Sequence, residues 1–292
     1  MVATLKAFTR GLHEEHLQEI SLLFEQQQAL RLMPNFSWPD AADIEGRIDA
    51  HLDALYIGGE LALEVCRQLA REGDFGELFG AAIVFCRQRR APLLAEVLRQ
   101  QDFKDPKKQL ALIMALRKAM PSDWGSFVEQ ALAQGDERLI PILAAVSGYQ
   151  RLSHGAALMA AWQRAPAQRL PIIEALGCLH AVEAEAALQS ALRDRDATVR
   201  NAAALALLRM SRGQPDMAAK LLTCALAGGP AMAEALVQRV RAGEAGVEDM
   251  LALGVLGYPP SWQVLYGCLT RPDLAEAAAT ALQWSSGAQL QA

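Results

Sequence analysis

The segment that decides the fold is LQSALRDRDATVRNAAALALLRM, residues 188–210. It places a run of charged residues between two stretches rich in Ala and Leu, which are strong helix formers. An aspartate before such a stretch is a common helix cap, because its carboxylate accepts hydrogen bonds from the free amides of the first turn. The segment therefore predicts the end of one helix, a charged turn and the start of the next helix.

The charged turn itself is expected to be structural. Asp194 or Asp196 caps the helix that begins near Ala197. Arg200 lies one turn inside that helix, and we expect it to reach an acidic or carbonyl group in the turn of a neighbouring helix pair. The alternative is a carboxylate pair for acid–base catalysis, which needs a cleft and two unequal environments. A solvated turn supplies neither.

An arginine recurs at a fixed interval through the middle of the chain. Arg138, Arg169 and Arg200 are separated by 31 residues each. They stand in three similar segments, DERLIPILAAVSGYQ (136–150), AQRLPIIEALGCLHA (167–181) and TVRNAAALALLRMSR (198–212). Apolar or small residues follow each arginine at helical spacing. A constant period of this kind is typical of repeat proteins.

A second helix is predicted after each arginine segment, over residues 154–165, 182–194 and 215–227. One pair of short helices cannot bury its apolar face alone, so neighbouring pairs must stack. The sequence thus predicts an all-α fold, a right-handed α-solenoid of helix pairs with a period of about 31 residues. Contacts between repeats are expected from the following residues: Asp194, Asp196, Arg200, Arg169 and Arg138.

The remaining segments flank this array. Residues 13–33 have the pattern of one long amphipathic helix, and residues 41–70 that of a hairpin broken at Gly58-Gly59. Further helices are predicted at 76–88, 105–120, 229–242, 245–256, 259–269 and 271–284. We divide the chain into an N-terminal helix and loop that form a helical cap (1–41), helical hairpins that are the first atypical repeats (42–101), regular repeats (102–242) and an irregular C-terminal helical cap (243–292).

Composition excludes several classes of protein. Of the 292 residues 52% are hydrophobic but only 6% aromatic, and the excess is Ala and Leu, which argues against strands. The formal charge of −5 argues against nucleic acid as a partner. Five scattered cysteines without a CxxC pair are typical of small buried side chains in a reducing compartment. The chain has no apolar run of about 18 residues and no apolar core of a signal peptide near its start. We therefore expect a cytoplasmic protein without a membrane partner.

The stretch RDRDATVRNAAALALL is similar to the HEAT-repeat consensus, in which Asp and then Val-Arg open the first helix. The wider order of IEGRIDAHLDALYIGGELALEVCRQLA (44–70), ELFGAAIVFCRQ (77–88) and the repeat array resembles a family of bacterial HEAT-repeat proteins that is often encoded beside type VI secretion genes. The resemblance covers residues 13 to about 215 and is clearest in 44–90, while the C-terminal third departs from it. It implies HEAT-like helix pairs and an association with type VI secretion. The family has no established activity, so the resemblance carries over no catalytic residue.

Motifs for chemistry are missing from the sequence. His13 and His16 are three residues apart, whereas the zinc-protease helix has histidines four apart and a further ligand, so we interpret them as part of a polar helix face. Neither GxSxG nor a glycine-rich phosphate loop occurs. We predict no catalytic residue, metal or cofactor. A basic set is either a local binding patch or solvated helix ends: Arg87, Arg89, Arg90, Lys104, Lys107 and Lys108.

Long helical arrays of this kind usually bind proteins. The leading hypothesis is a non-enzymatic scaffold whose partner is another protein, such as an effector, toxin or secretion component, with an adaptor, chaperone or immunity role. Contacts are expected from polar residues on the second helices: Gln163, Arg164, Glu185, Gln189, Arg193 and Lys220. The alternatives are an enzyme on a HEAT-like scaffold, either a bilin lyase, which shares the D-x-x-V-R repeat, or a DNA glycosylase, and a protein that assembles into a homo-oligomer.

Overall fold

The computed structural model describes residues 4–31, 33, 38–210 and 220–287. These residues form seventeen α-helices, several short 3-10 helices and no β-strand. The prediction of an all-α protein is therefore confirmed for the described part of the chain. Among the same residues, no helix combines the length and the apolar character that crossing a bilayer requires.

The chain divides into two compact units, Met1–Ala157 and Leu158–Ala292, and the division falls inside the predicted 102–242 segment. The helices are α1 Leu5–Leu30, α2 Trp38–Ile57, α3 Gly59–Glu72, α4 Phe75–Arg87, α5 Ala91–Gln100, α6 Pro106–Ala119, α7 Gly125–Gln134, α8 Ile140–Gln150, α9 Gly155–Arg164, α10 Arg169–Leu179, α11 Glu185–Ala191, α12 Ala197–Arg209, α13 Leu221–Ala225, α14 Pro230–Arg241, α15 Val247–Leu256, α16 Trp262–Cys268 and α17 Ala275–Ser286. Helix α9 contains the division between the units.

The first unit is built around α4, whose residues from Gly76 to Cys86 are all buried. Helices α1, α3, α5 and α6 pack on it, and α6 in turn packs on α8. The rings of Phe24 and Phe79 stack with their centroids 4.1 Å apart at the contact between α1 and α4. A helix that is apolar on every side must be covered on every side, which explains why α4 occupies the centre.

Local signals set the helix boundaries in this unit. The Asp74 carboxylate caps α4, and the Glu77 carboxylate accepts a hydrogen bond from the Asp74 amide at 2.9 Å, which completes a capping box. Gly59 has a φ of +61° and separates α2 from α3, as the Gly58-Gly59 pattern predicts. The first helix begins at Leu5, earlier than the predicted residue 13, because Thr4 caps it.

The second unit contains a chain of helix contacts from α10 to α12, α13, α15 and α17, and α11, α14 and α16 flank this chain. Two of its crossings are unusually close. A Cβ placed on Gly177 of α10 would lie 2.6 Å from the Cα of Ala206 of α12, and one on Gly254 of α15 would lie 2.6 Å from the Cα of Ala281 of α17. Each crossing therefore brings two backbones together with only small side chains between them.

Several second helices are shorter than the sequence predicts. The predicted helix over 182–194 is a 3-10 turn at Val182–Ala184 followed by α11, which ends at Ala191. In the predicted helix over 215–227, residues 215–219 lie outside the described part and α13 spans only Leu221–Ala225. Helices α5 and α7 are not among the helices predicted from the sequence.

Candidate functional site

The charged turn of residues 194–200 joins α11 to α12. Asp196 occupies the cap position and its carboxylate accepts a hydrogen bond from the Thr198 amide at 2.8 Å. The Asp194 carboxylate accepts one from the Asp196 amide, also at 2.8 Å. The hydrogen bond from the Thr198 amide lowers the pKa of Asp196. The two aspartates thus organise the turn through backbone amides and are not arranged as an acid–base pair.

The three recurring arginines have different partners. Arg169 donates to the Asp194 carboxylate at 3.1 Å and so links α10 to the following turn. Arg200 instead donates to the carbonyl oxygens of Asp194 and Arg195, at 2.9 and 3.1 Å. These carbonyls lie in the turn between α11 and α12, directly after the second helix of the preceding pair predicted over residues 167–194.

Arg138 also remains local. Its Nε donates to the Asp136 carboxylate at 2.8 Å, and this bond lowers the pKa of Asp136. Arg169 is the fourth residue of a helical segment that starts with the 3-10 turn Pro166–Gln168, and Arg200 is the fourth residue of α12. Arg138 is only the second residue of its own 3-10 turn, Glu137–Leu139. The equal spacing in sequence therefore does not give Arg138 a contact with a distant turn like the one that Arg169 makes with Asp194.

The residues expected to contact a partner fall into two groups. Four of them are exposed: Gln163, Gln189, Arg193 and Lys220. Arg164 and Glu185 are half-buried and already have partners within the chain, so they are not available as free contacts.

The histidines of α1 do not form a polar face. His13 is only 5% exposed, neither of its ring nitrogens has a hydrogen-bond partner, and burial lowers its pKa. The Nδ1 atoms of His16 and His51 lie 2.9 Å apart, a distance at which one ring donates a hydrogen bond to the other. No group of three or more His, Cys, Asp or Glu side chains among the described residues is arranged to hold a metal ion.

The basic run at the end of α4 is neutralised by carboxylates. Arg87 bonds to Asp49 and Asp53 at 2.7 and 2.8 Å. Arg89 pairs with Asp123, and Arg90 with Glu60. These contacts account for the three arginines as links between helices and leave little positive charge for a nucleic-acid surface.

The cysteines are free, and four of the five are buried. Burial raises the pKa of both the Cys66 and the Cys86 thiols to about 12. Such thiols stay protonated at neutral pH and are poor nucleophiles.

The first unit has an apolar groove of about 630 Å³ between α5 and α7, which we call the α5–α7 groove. Its two walls carry apolar residues at intervals of three and four, the spacing of one helix face. The α5 wall consists of Ala91, Leu94, Ala95 and Leu98, and the α7 wall of Trp124, Phe127, Val128 and Ala131. The floor consists of Leu116, Met120, Leu139 and Leu143. The α5 side and the α7 side of the groove are thus both apolar.

The rim of the α5–α7 groove is accessible. Phe127 is 64% exposed, which is a large fraction for a side chain of this size. Arg99 is the one charged residue in the lining, and its guanidinium makes no hydrogen bond or ion pair within the described residues. The groove therefore offers apolar surface along its length and a single free cation at one edge.

Neither α5 nor α7 is among the helices predicted from the sequence, so the groove between them is not predicted either. A signal was present: Leu94 and Leu98 on one segment and Phe127 and Ala131 on the other repeat at intervals of four. Leu94 belongs to the buried core, whereas Phe127 is exposed and Leu98 and Ala131 are partly exposed, so these three extend the apolar surface beyond the core. A stripe without a core to cover indicates an interaction surface.

Comparisons of the chain with family models, with curated proteins and with solved structures returned no match.

Proposed function

We propose that this chain is a non-enzymatic protein-binding scaffold and that the α5–α7 groove binds an amphipathic helix of its partner. The carrying observation is the apolar groove between α5 and α7, with Phe127 64% exposed on its rim. A groove of this kind is typical of helix-in-groove recognition, in which residues at i, i+3, i+4 and i+7 anchor the bound helix.

The dimensions of the α5–α7 groove favour a helix over a small ligand. Each wall extends from the first to the last anchor over eight residues, Ala91–Leu98 and Trp124–Ala131. Eight residues of helix rise about 12 Å, which is two turns. A guest helix of two to three turns would bury its apolar face on both walls and the floor, and Arg99 would pair with an acidic residue beside that face.

We also propose a repeat architecture and a cellular context for the chain. The arginine period and the consensus-like stretch at 193–208 support a right-handed solenoid of HEAT-like pairs. The resemblance to HEAT-repeat proteins encoded beside type VI secretion genes supports a role as adaptor, chaperone or immunity protein in the bacterial cytoplasm. In such a role the groove would hold a helix of the secreted or structural partner.

Site-specific photo-crosslinking in the native host tests this function. A benzoylphenylalanine placed at Phe127, on the groove rim, should form an adduct with one discrete protein. The same group at Tyr266, which is 72% exposed on α16, serves as the control position. Mapping of the adduct should identify a segment with apolar residues three or four apart.

A second experiment repeats the crosslinking in the variant Ala95→Glu, which places a charge on an exposed part of the groove wall. We expect it to abolish the adduct at position 127, whereas Gln130→Glu, on an exposed part of α7 outside the groove, should leave it intact. An adduct that survives Ala95→Glu, or one that maps to a segment without an apolar stripe, would refute binding in the groove.

A further inference from the structure

A second cavity of the first unit, of about 520 Å³, is bordered by α1, α2, α4, α6 and α8. We call it the five-helix cavity. Part of its lining is apolar and comes from Ile48, Phe79 and Met114. The rest is polar and includes Arg31, Glu45, Arg117, Lys118 and Tyr149. A concave site with an apolar part and a few convergent polar groups has the character of a small-molecule site.

The carboxylates near the five-helix cavity already have partners. Glu45 accepts a hydrogen bond from the Gln27 amide at 3.1 Å and lies 3.9 Å from the Arg31 guanidinium. Asp49, one turn further along α2, pairs with Arg87 at 2.7 Å and with Lys118 at 3.2 Å. Neither carboxylate therefore neutralises Arg117.

Arg117 is oriented but its charge is uncompensated. Its Nε donates to the Ala145 carbonyl at 3.4 Å, and its guanidinium carbon lies 5.3 Å from the centre of the Tyr149 ring. Both contacts fix the plane of the guanidinium. Its two terminal nitrogens donate no hydrogen bond within the described residues, and the Tyr149 hydroxyl has no partner there either.

We propose that the five-helix cavity binds a small ligand that carries an anionic group on an apolar body, and that Arg117 is the main contact of the anion. The free end of the guanidinium presents two parallel donors, the geometry that carboxylate and phosphate oxygens accept. Ile48, Phe79 and Met114 then cover the apolar body. The site is separate from the α5–α7 groove and does not depend on the function proposed for it.

The test uses three naphthalene probes of nearly equal shape and the full chain. These are 2-naphthoate, its neutral amide and 2-naphthyl phosphate, each titrated by calorimetry at low salt. We expect the carboxylate or the phosphate to bind about tenfold more tightly than the amide, the difference expected for one charge-assisted contact. Comparison of the two anions tells a carboxylate ligand from a phosphate ligand.

Arg117→Met removes the charge and keeps an unbranched side chain. It should bring both anions to the affinity of the amide. Arg99→Met, which removes the free arginine of the α5–α7 groove, is the matched control and should preserve the preference. Thermal melts of both variants should match that of the parent chain, since both arginines are exposed.

The proposal is overturned by equal affinity for naphthoate, naphthyl phosphate and the amide, by absence of saturable binding of either anion, or by a preference that Arg117→Met leaves unchanged. None of these results affects the crosslinking experiment at Phe127, so the two proposals fail independently.

Discussion

At the scale of single residues, Asp194 is the most connected member of the charged turn. Its carboxylate, which is 19% exposed, accepts hydrogen bonds from the Asp196 amide and from Arg169 at the start of α10. A partly buried ion pair that also bonds to backbone is worth more than a surface pair, because water competes less with it. Asp194 is thus the residue that connects α10 to the α11–α12 turn.

We expect Asp194→Ala to lower the free energy of unfolding of the second unit by about 1–2 kcal/mol, because two hydrogen bonds are lost. Arg193→Ala is the matched control, since the Arg193 side chain is exposed and makes no hydrogen bond or ion pair within the described residues. Urea denaturation followed by circular dichroism measures both. Equal effects of the two substitutions would show that the contacts of Asp194 do not stabilise the connection between α10 and the α11–α12 turn.

A second residue-scale effect concerns buried histidines of the first unit. Burial lowers the pKa of His154, whose Nδ1 lies 3.0 Å from the Ser147 hydroxyl. Burial also lowers the pKa of His16, and the neighbouring His51 adds to this. A lowered folded-state pKa means that the unfolded chain binds protons first, so stability is fully present above the unfolded pKa near 6.5 and is lost as the pH falls below it.

The melting temperature should therefore fall between about pH 7.5 and about pH 5.5. In His154→Asn the fall should be smaller, because one of the groups that take up protons on unfolding is gone, although the variant starts from a lower melting temperature. Differential scanning calorimetry across this range measures both quantities. A pH dependence identical to that of the parent chain would exclude His154 as a contributor.

Sequence predicted the residue types of the turn but not all of their partners. The cap at Asp196 follows from a local rule, since a carboxylate two residues from a free amide bonds to it in any fold. The partner of Arg169 depends on where the second helix of its own pair ends, and the partner of Arg200 on which way a long side chain folds. A spacing of 31 residues contains neither piece of information.

At the scale of helices, the close crossings at Gly177 and Gly254 set the geometry of the second unit. Each allows two helix backbones to approach until a glycine contacts the Cα of an alanine. Dispersion attraction rises steeply at short distance, so a close crossing gains contacts along both helices. Any side chain at the glycine would force the helices apart.

We expect Gly177→Ala to lower the free energy of unfolding by about 1–3 kcal/mol, the usual effect of overpacking. Gly267→Ala, on α16, is the control in the same unit, because a Cβ there meets no atom within 4 Å. That substitution should raise stability by about 0.5 kcal/mol, since alanine is the better helix former. Chemical denaturation of both variants gives the comparison. A neutral Gly177→Ala would mean that the crossing relaxes freely.

Most helices could be predicted, but the groove between two of them could not. The 3.6-residue period and the caps place α4, α6, α8, α10 and α12 close to their observed positions. Helix α5 has a clear contrast between its buried and its polar side, so its pattern in the sequence was sufficient to predict it. Where the groove between α5 and α7 lies depends on how the two helices pack, which no local pattern contains.

At the scale of the whole molecule, each compact unit has a buried core of its own. In the first unit Phe24, Phe85 and Leu112 are fully buried, and in the second Leu253 and Leu265 are. A segment with its own core is expected to fold by itself. The all-α class follows from composition alone, whereas the division at residue 157 lies in a stretch of unbroken helical pattern and has no sequence signal.

We expect fragments 1–165 and 155–292, which both contain α9 in full, to be helical and to unfold cooperatively. Sharing α9 avoids cutting the helix that contains the division. Circular dichroism melts of the fragments and the full chain supply the measurement. A fragment that is helical but melts without a transition would show that its core is completed only in the full chain.

The glycine–alanine crossings have a consequence for tracing the ancestry of this chain. Surface residues of a helical protein change freely over evolution, whereas a position whose Cβ would contact another backbone accepts only glycine. Gly177 with Ala206, and Gly254 with Ala281, are pairs of small residues held at a nearly constant separation along the chain. A search for distant relatives should therefore weight such pairs, and the ALG motif at 175–177 and again at 252–254, above overall identity.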